Sequence, residues 1–187
     1  MSDSSVESNH VGLALTGSER VVIDQVEVTG SAEAGVLLHG DTRTRITGLG
    51  TDANGGDGLR ISGGGDRTVT EVVARRNKGF GVSAAGSPGL VPNGTQTGAN
   101  GEGGVHLSSC SRCRLEDPGA ADEPIAVQIT GSGSASIRVL EARIRGGTTG
   151  VQATRTASGT RLTGLAIRSA AVSTTTISAS TPTTRTA

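Results

Sequence analysis

The chain of 187 residues has no Trp, no Tyr and a single Phe, Phe80. That scarcity removes the large anchors of an ordinary globular core and the ring faces on which most sugar-binding grooves stack their ligands. Lysine is equally rare, Lys78 standing alone beside 16 arginines; a GC-rich genome explains that bias better than function does. Excess charge is absent too. Seventeen basic and 17 acidic residues give a net charge of zero and a pI of about 6.8, which argues against nucleic acid as a partner. No apolar run reaches the length of a membrane span, and Met1-Ser2-Asp3-Ser4 is polar where a secretory signal would carry an apolar stretch.

What the chain has in abundance is glycine, 30 residues of it, and the glycines recur. Gly12-Leu13-Ala14-Leu15, Gly35-Val36-Leu37-Leu38, Gly58-Leu59-Arg60-Ile61, Gly81-Val82-Ser83-Ala84 and Gly104-Val105-His106-Leu107 follow one another at intervals of 23 residues. Ala126-Val127-Gln128-Ile129 comes 22 later, Gly150-Val151-Gln152-Ala153 another 24, and Ala171-Val172 another 21. A fixed period of this length marks a repeat architecture, in which neighbouring units bury each other's apolar faces. Within each block the residues one and three after the glycine are apolar and the one between varies, the alternation of a half-buried strand. Further apolar positions at Ile23, Ile46, Val69, Leu115 and Ile137, then Val26, Leu49, Val72, Leu140 and Leu165, predict about three short strands per repeat. Strands so short cover their apolar side chains only by pairing in parallel with the same strand of the next repeat. The predicted fold is therefore all-β: a right-handed parallel β-helix, a solenoid of about seven coils with a repeat of 22–24 residues.

Asn54, Asn77 and Asn100 occupy one position in three consecutive coils. Asparagine tolerates the left-handed backbone of a sharp corner, and stacked amides can bond along the axis. The Gly-Val-x-Leu blocks, this Asn row and the spacing resemble the right-handed parallel β-helix, or pectate-lyase-like, superfamily from Val11 to about Ser173. The resemblance implies action on or binding of an acidic polysaccharide, by a lyase, C5-epimerase or hydrolase; other members are tailspikes, adhesins or surface proteins. It also implies export to the cell surface or medium, and it is the sole ground on which calcium enters as a cofactor.

The domain is expected over residues 1–172, starting in mid-coil at the strand-like Ser5-Val6-Glu7-Ser8-Asn9 and so open to end-to-end or lateral self-association. Residues 173–187 form a Ser/Thr-rich tail or a ragged last strand. Arg20, Arg43 and Asp66 stack in one outward row and Asp52 and Arg75 in another, both read as solvated. Ser87-Pro88-Gly89, Pro92-Asn93-Gly94 and Asp117-Pro118-Gly119 are expected to bulge outward as loops, because proline cannot donate to a ladder.

The outward residues of the first strand form a row: Ala14, Leu37, Arg60, Ser83, His106, Gln128, Gln152. Arg60 and His106 stand two coils, or about 9.6 Å, apart. Asp57, Lys78 and Glu102 precede the same strand in coils three, four and five. Arg60, His106, Asp57, Lys78 and Glu102 together supply an acid, a base and cations, the ingredients for taking a proton α to a uronate carboxylate. No Tyr and no cluster of carboxylates on neighbouring coils accompanies them. His39 and Asp41 read as solvated turn residues. Cys110-Ser111-Arg112-Cys113 reads first as a pair of neutral turn thiols, then as a disulfide, last as half a metal site. Asn93-Gly94-Thr95 fits a glycosylation sequon but reads as a turn.

Overall fold

The computed structural model describes residues 2–154, 159–168 and 176–177, and over them the chain is all strand and turn, with every strand pairing parallel. One sheet collects the first strand of each coil: Leu13–Thr16, Val36–His39, Leu59–Ser62, Phe80–Ala85, Gly103–Ser108, Ile125–Thr130, Thr149–Ala153 and Thr176–Ile177. The other sheet takes the rest of each coil and bends into a second and a third face. In coils one to three these faces share the eight-residue strands Val22–Thr29, Arg45–Asp52 and Thr68–Arg75. From coil four they separate, as in Val91–Asn93 and Gln96–Gly98. Among the described residues no helix is long and apolar enough to cross a membrane.

Left-handed residues turn the described coils at recurring corners. In coil three, counted as residues 53–75, they are Ala53, Gly63 with Gly64, Asp66 and Glu71, with φ of 54°, 60°, 71°, 52° and 54°. The charged row Arg20, Arg43 and Asp66 is one of these corner columns, at φ of 55°, 52° and 52°. Between corners the side chains alternate, so Val36, Leu38, Leu59, Ile61, Val82 and Leu107 point inward and meet Ile23, Ile46, Val69 and Leu115 in a thin apolar core. A buried polar pocket interrupts it at coils two to four, where Arg67 lies beside Asp41 and donates to Ser87 Oγ at 3.2 Å.

The Asn row holds the coils in register through amides bonded along the axis, as expected, but the Asn residues themselves are not the left-handed corners. Ala53, Arg76 and Ala99, one residue earlier, take the left-handed backbone at φ of 52–54°. Each Asn is thereby turned inward and buried. Asn54 Nδ2 donates to Asn77 Oδ1 at 2.8 Å, Asn77 Nδ2 to Asn100 Oδ1 at 3.0 Å, and Asn100 Nδ2 to Glu123 Oε1 at 2.8 Å. Each acceptor group also takes a backbone N–H from the coil before it, Asn100 N–H donating to Glu123 Oε2 at 3.0 Å. The block glycines follow from this ladder. A Cβ on Gly35, Gly58 or Gly81 would stand 2.8–2.9 Å from an Asn Nδ2 and within 3.0 Å of the next coil's carbonyl.

The proline segments do not bulge. Pro92 is buried in its strand, level with Val69, and Pro118 is buried between Arg114–Glu116 and Gly119–Ala121. Gly89 and Asp117 fill the regular corners at φ of 71° and 45°. A missing N–H costs one ladder bond, and the apolar ring replaces it as core. Cys110 and Cys113 are joined as a buried disulfide, correcting the reading as free thiols. The corner at Arg112, φ 56°, turns both side chains inward with their Cα atoms 6.0 Å apart. The final block is placed later than the expected Ala171-Val172, because Gln152 pairs with Thr176 and Ala153 with Ile177. The rest of the 173–187 tail, and the boundary at 172, lie outside the described residues.

Replacing Asn77 by Ala strips both the Asn54 N–H and the Asn54 amide of their acceptor inside the core. Asn77→Ala should lower unfolding free energy by about 3 kcal/mol, against about 0.5 kcal/mol or less for exposed Asn93→Ala; chemical denaturation of the two variants checks this.

Candidate functional site

Strand register sets the outward row of the first face as read: Ala14, Leu37, Arg60, Ser83, His106, Gln128 and Gln152 are successive partners. Around its middle lies an open groove of about 580 Å³. All five predicted residues line it: Arg60, His106, Asp57, Lys78 and Glu102.

Asp57 is buried in the turn that leads into the strand Leu59–Ser62, and both its oxygens are committed. Oδ1 accepts the Phe80 N–H of the next coil at 2.9 Å, and Oδ2 accepts Arg60 Nε at 2.7 Å. Its role is to aim Arg60. The guanidinium spends one N–H on Asp57 and, with its side chain 52% exposed, keeps the fork of Nη groups for a ligand. Lys78 and Glu102 stand exposed on the rim, one and two coils further along.

His106 is half-buried. Its ring packs on Phe80 with centroids 4.7 Å apart and planes inclined 31°, and its Nε2 lies 2.8 Å from Thr130 Oγ1 in coil six. Burial pushes its pKa below the ordinary 6.5, against the pull of the Asp57 and Glu102 charges, so the imidazole is neutral at pH 7. The tautomer carrying its proton on Nε2 donates to Thr130 and leaves Nδ1 bare.

Sequence reasoning missed three members of this face. Phe80 and Thr130 are the supports of His106, and Ser62 lines the groove with its Oγ 2.9 Å from His39 Nδ1. The signal was available: Thr16, His39, Ser62, Ala85, Ser108 and Thr130 form the next outward column, two residues beyond the first. His39 therefore ends a strand rather than lying in a turn. Asp41 points inward, fully buried, with Oδ1 on the Ser18 N–H at 2.7 Å.

The residues do not fit calcium. Among the described residues no three acidic, His or Cys side chains converge, and Asp57, the buried carboxylate of the groove, has both oxygens engaged.

The model of a family described as "Right handed beta helix region" matches residues 11–167. The chain belongs to the right-handed β-helix family. Membership settles the hand of the coils. No protein of curated function matches the sequence. Among solved structures, the A-module of the mannuronan C-5 epimerase AlgE4 from Azotobacter vinelandii is similar to this right-handed β-helix with a TM-score of 0.71 at 14% identity, over 94% of this chain and 55% of that module. This chain thus spans about half of that module, and the likeness concerns the fold.

A histidine whose pKa is depressed on folding contributes stability that is present above about 6.5 and is lost as pH falls through its folded value. The His106 Cε1–H resonance, assigned by its loss in His106→Gln, should titrate with a midpoint below 6.5. The wild-type unfolding free energy should fall on acidification from that pH more steeply than that of His106→Gln. A midpoint at or above the ordinary value would remove the neutral imidazole from the site.

Proposed function

We propose that the groove binds a uronate-containing polysaccharide and removes the proton α to a sugar carboxylate, the step shared by polysaccharide lyases and C5-epimerases. The carrying observation is the neutral, half-buried His106 set two coils from the Asp57-aimed guanidinium of Arg60, in one open groove. The spacing, about 9.6 Å, accommodates a sugar unit between them.

In this reading Arg60 clamps the uronate carboxylate through its Nη groups, stabilising the charge that grows there as C5 loses its proton. The bare Nδ1 of His106 accepts that proton. In elimination the C5–H electron pair forms the C4–C5 double bond and expels the glycosidic oxygen. In epimerisation Lys78, on the rim, returns a proton from the other face of the sugar. Hydrolysis is disfavoured, because it needs a second free carboxyl and Asp57 has both oxygens occupied. The solved epimerase module with the same fold supports the uronate reading, and the buried disulfide supports an exported protein.

One observation favours a second reading, a structural or adhesive rod without turnover. The single aromatic, Phe80, is 8% exposed and packed against His106, so the groove offers no ring face for stacking a sugar.

Arg60→Lys keeps a cation on buried Asp57 but loses the fork. On oligouronates, wild type should produce the ultraviolet absorbance of an unsaturated uronate, or exchange solvent deuterium into C5 without it. His106→Gln should lose either activity by at least about a hundredfold, and Arg60→Lys by about tenfold or more, with both folds intact by circular dichroism. Binding without either signal selects the adhesive rod, and no binding rejects the uronate assignment.

A further inference from the structure

The third face, on the sheet that does not carry the groove, is unpartnered and sharply divided in charge. Its outward residues run in two registered columns, one from Glu27 through Gly50, Val73, Gln96 and Gly119 to Arg143, the other from Asp52 through Arg75, Gly98 and Ala121 to Arg145 and Arg168. Coils one and two present Glu27 and Asp52, whereas coils six and seven present Arg143, Arg145 and Arg168. Two large hollows lie on the face, besides a smaller one of about 190 Å³ beside Asp52 and Val73. One, of about 680 Å³, lies between Glu27 and Glu71 over Gly48 and Gly50; the other, of about 470 Å³, lies among Arg75, Arg143 and Arg145 over Gly98 and Gly119. Between them stands Val73, 38% exposed, one of the few large apolar side chains left on the surface.

We propose that this face is the contact between two copies of the chain, paired antiparallel about a two-fold axis along the strand of coil four. An isologous contact must be complementary to itself. The antiparallel operator sets coil one against coil seven and coil two against coil six. Glu27 then faces Ala166, with Arg168 two residues further along the same strand and within diagonal reach, and Asp52 meets Arg145, twice in the dimer. Coil three meets coil five, so Val73 enters the hollow floored by Gly119. On the axis Gln96 faces its own copy, and an amide both donates and accepts. The parallel alternative puts Glu27 against Glu27 and Arg168 against Arg168, which like-charge repulsion forbids. Asp52 and Arg143 are already engaged within the chain, by Arg76 and Asp117. Among the described residues Glu27, Arg145 and Arg168 form no ion pair within the chain, which leaves them for a partner. Seven coils of about 34 Å by a face of about 15 Å bury roughly 500 Å² on each copy, about 1,000 Å² together, at the lower edge of specific interfaces. The dimer is accordingly weak and salt-sensitive. The uronate groove lies on the other sheet, so this contact stands or falls independently of the proposed chemistry.

Sedimentation velocity and small-angle scattering of the full chain test it. The expected result is a concentration-dependent dimer at low salt, with the two rods side by side. Glu27→Arg and Arg168→Glu, both at exposed positions, should each raise the dissociation constant at least tenfold. The double variant Glu27→Arg/Arg168→Glu, and an equimolar mixture of the two single variants, should restore it, because either restores opposite charges at every crossing. Arg60→Lys should leave it unchanged. A chain that stays monomeric throughout overturns the proposal, as does a dimer of doubled length or one indifferent to both reversals. A monomer that instead binds an anionic oligosaccharide, and loses it in Arg145→Glu, assigns the face to a ligand and equally overturns it.

Discussion

The buried amide ladder from Asn54 to Glu123 is the constraint on which the rest of this rod depends. A parallel solenoid built from strands of no more than eight residues has few hydrogen bonds per strand with which to choose its register, and a slip of one residue would move each apolar side chain to the surface. The ladder removes that freedom. The Oδ1 of Asn77 and that of Asn100 each take two donors from the coil before, one from backbone and one from side chain, while Asn54 Oδ1 takes the Ser31 N–H; these donors are buried, so leaving one unmet is costly. Glu123 ends the series because a carboxylate has two acceptors and no donor. Burial pushes its pKa above the ordinary 4.5 while the Asn100 bonds pull it down. The block glycines are the other half of the interlock, since the amides occupy the space a Cβ would need.

The groove uses the same device. Asp57 sits three residues beyond Asn54 and also accepts a backbone N–H from a neighbouring coil, but from the coil after it, where each Asn accepts from the coil before. Its second oxygen stands where an Asn would carry the Nδ2 donor, and it accepts Arg60 Nε. The cation of the site is thus fixed by a bond that belongs to the scaffold, and its direction is set before any ligand arrives. His106 is held in the same manner from both sides along the axis, by Phe80 in coil four and Thr130 in coil six. Its depressed pKa follows from that enclosure rather than from a charge, because both nearby carboxylates act in the opposite sense.

The fold and the main row of the site were legible because a solenoid converts sequence period directly into spatial adjacency. Arg60, Ser83 and His106 share one face as a consequence of spacing alone. The failures came where chemistry was inferred from residue type without position. Asparagine suggested a left-handed corner, but Ala53, Arg76 and Ala99 take that conformation, so the amide is free to turn inward. Proline suggested a loop, yet Pro92 and Pro118 stand where a buried ring is welcome. Cys110 and Cys113 flank a corner residue, and a corner turns both neighbours the same way, which a count of two intervening residues does not reveal. Thr130 and the His39–Ser62 pair were missed because only one of the two outward columns was followed.

The thin core explains how one chain can carry two unlike surfaces. In a two-sheet solenoid the outward residues of each face share no side-chain contacts across the interior, since alternate residues face inward and fill it. Arg60 and His106 on one sheet, and Glu27 and Arg168 on the other, are separated by the column of Val, Leu and Ile between the sheets. The faces are instead coupled along the axis, where every outward side chain has neighbours one coil away on either side. Charges compensate within a column or at an adjacent corner, as in Asp52 with Arg76 and Asp117 with Arg143, while Glu27 and Arg168 stand exposed at opposite ends of the third face. A net charge of zero for the chain thus conceals a third face polarised along the axis. On the first sheet Arg60 and Lys78 are balanced by Asp57 and Glu102 around a neutral imidazole, so the groove's preference for an anion comes from the aimed guanidinium fork and not from an excess of positive charge.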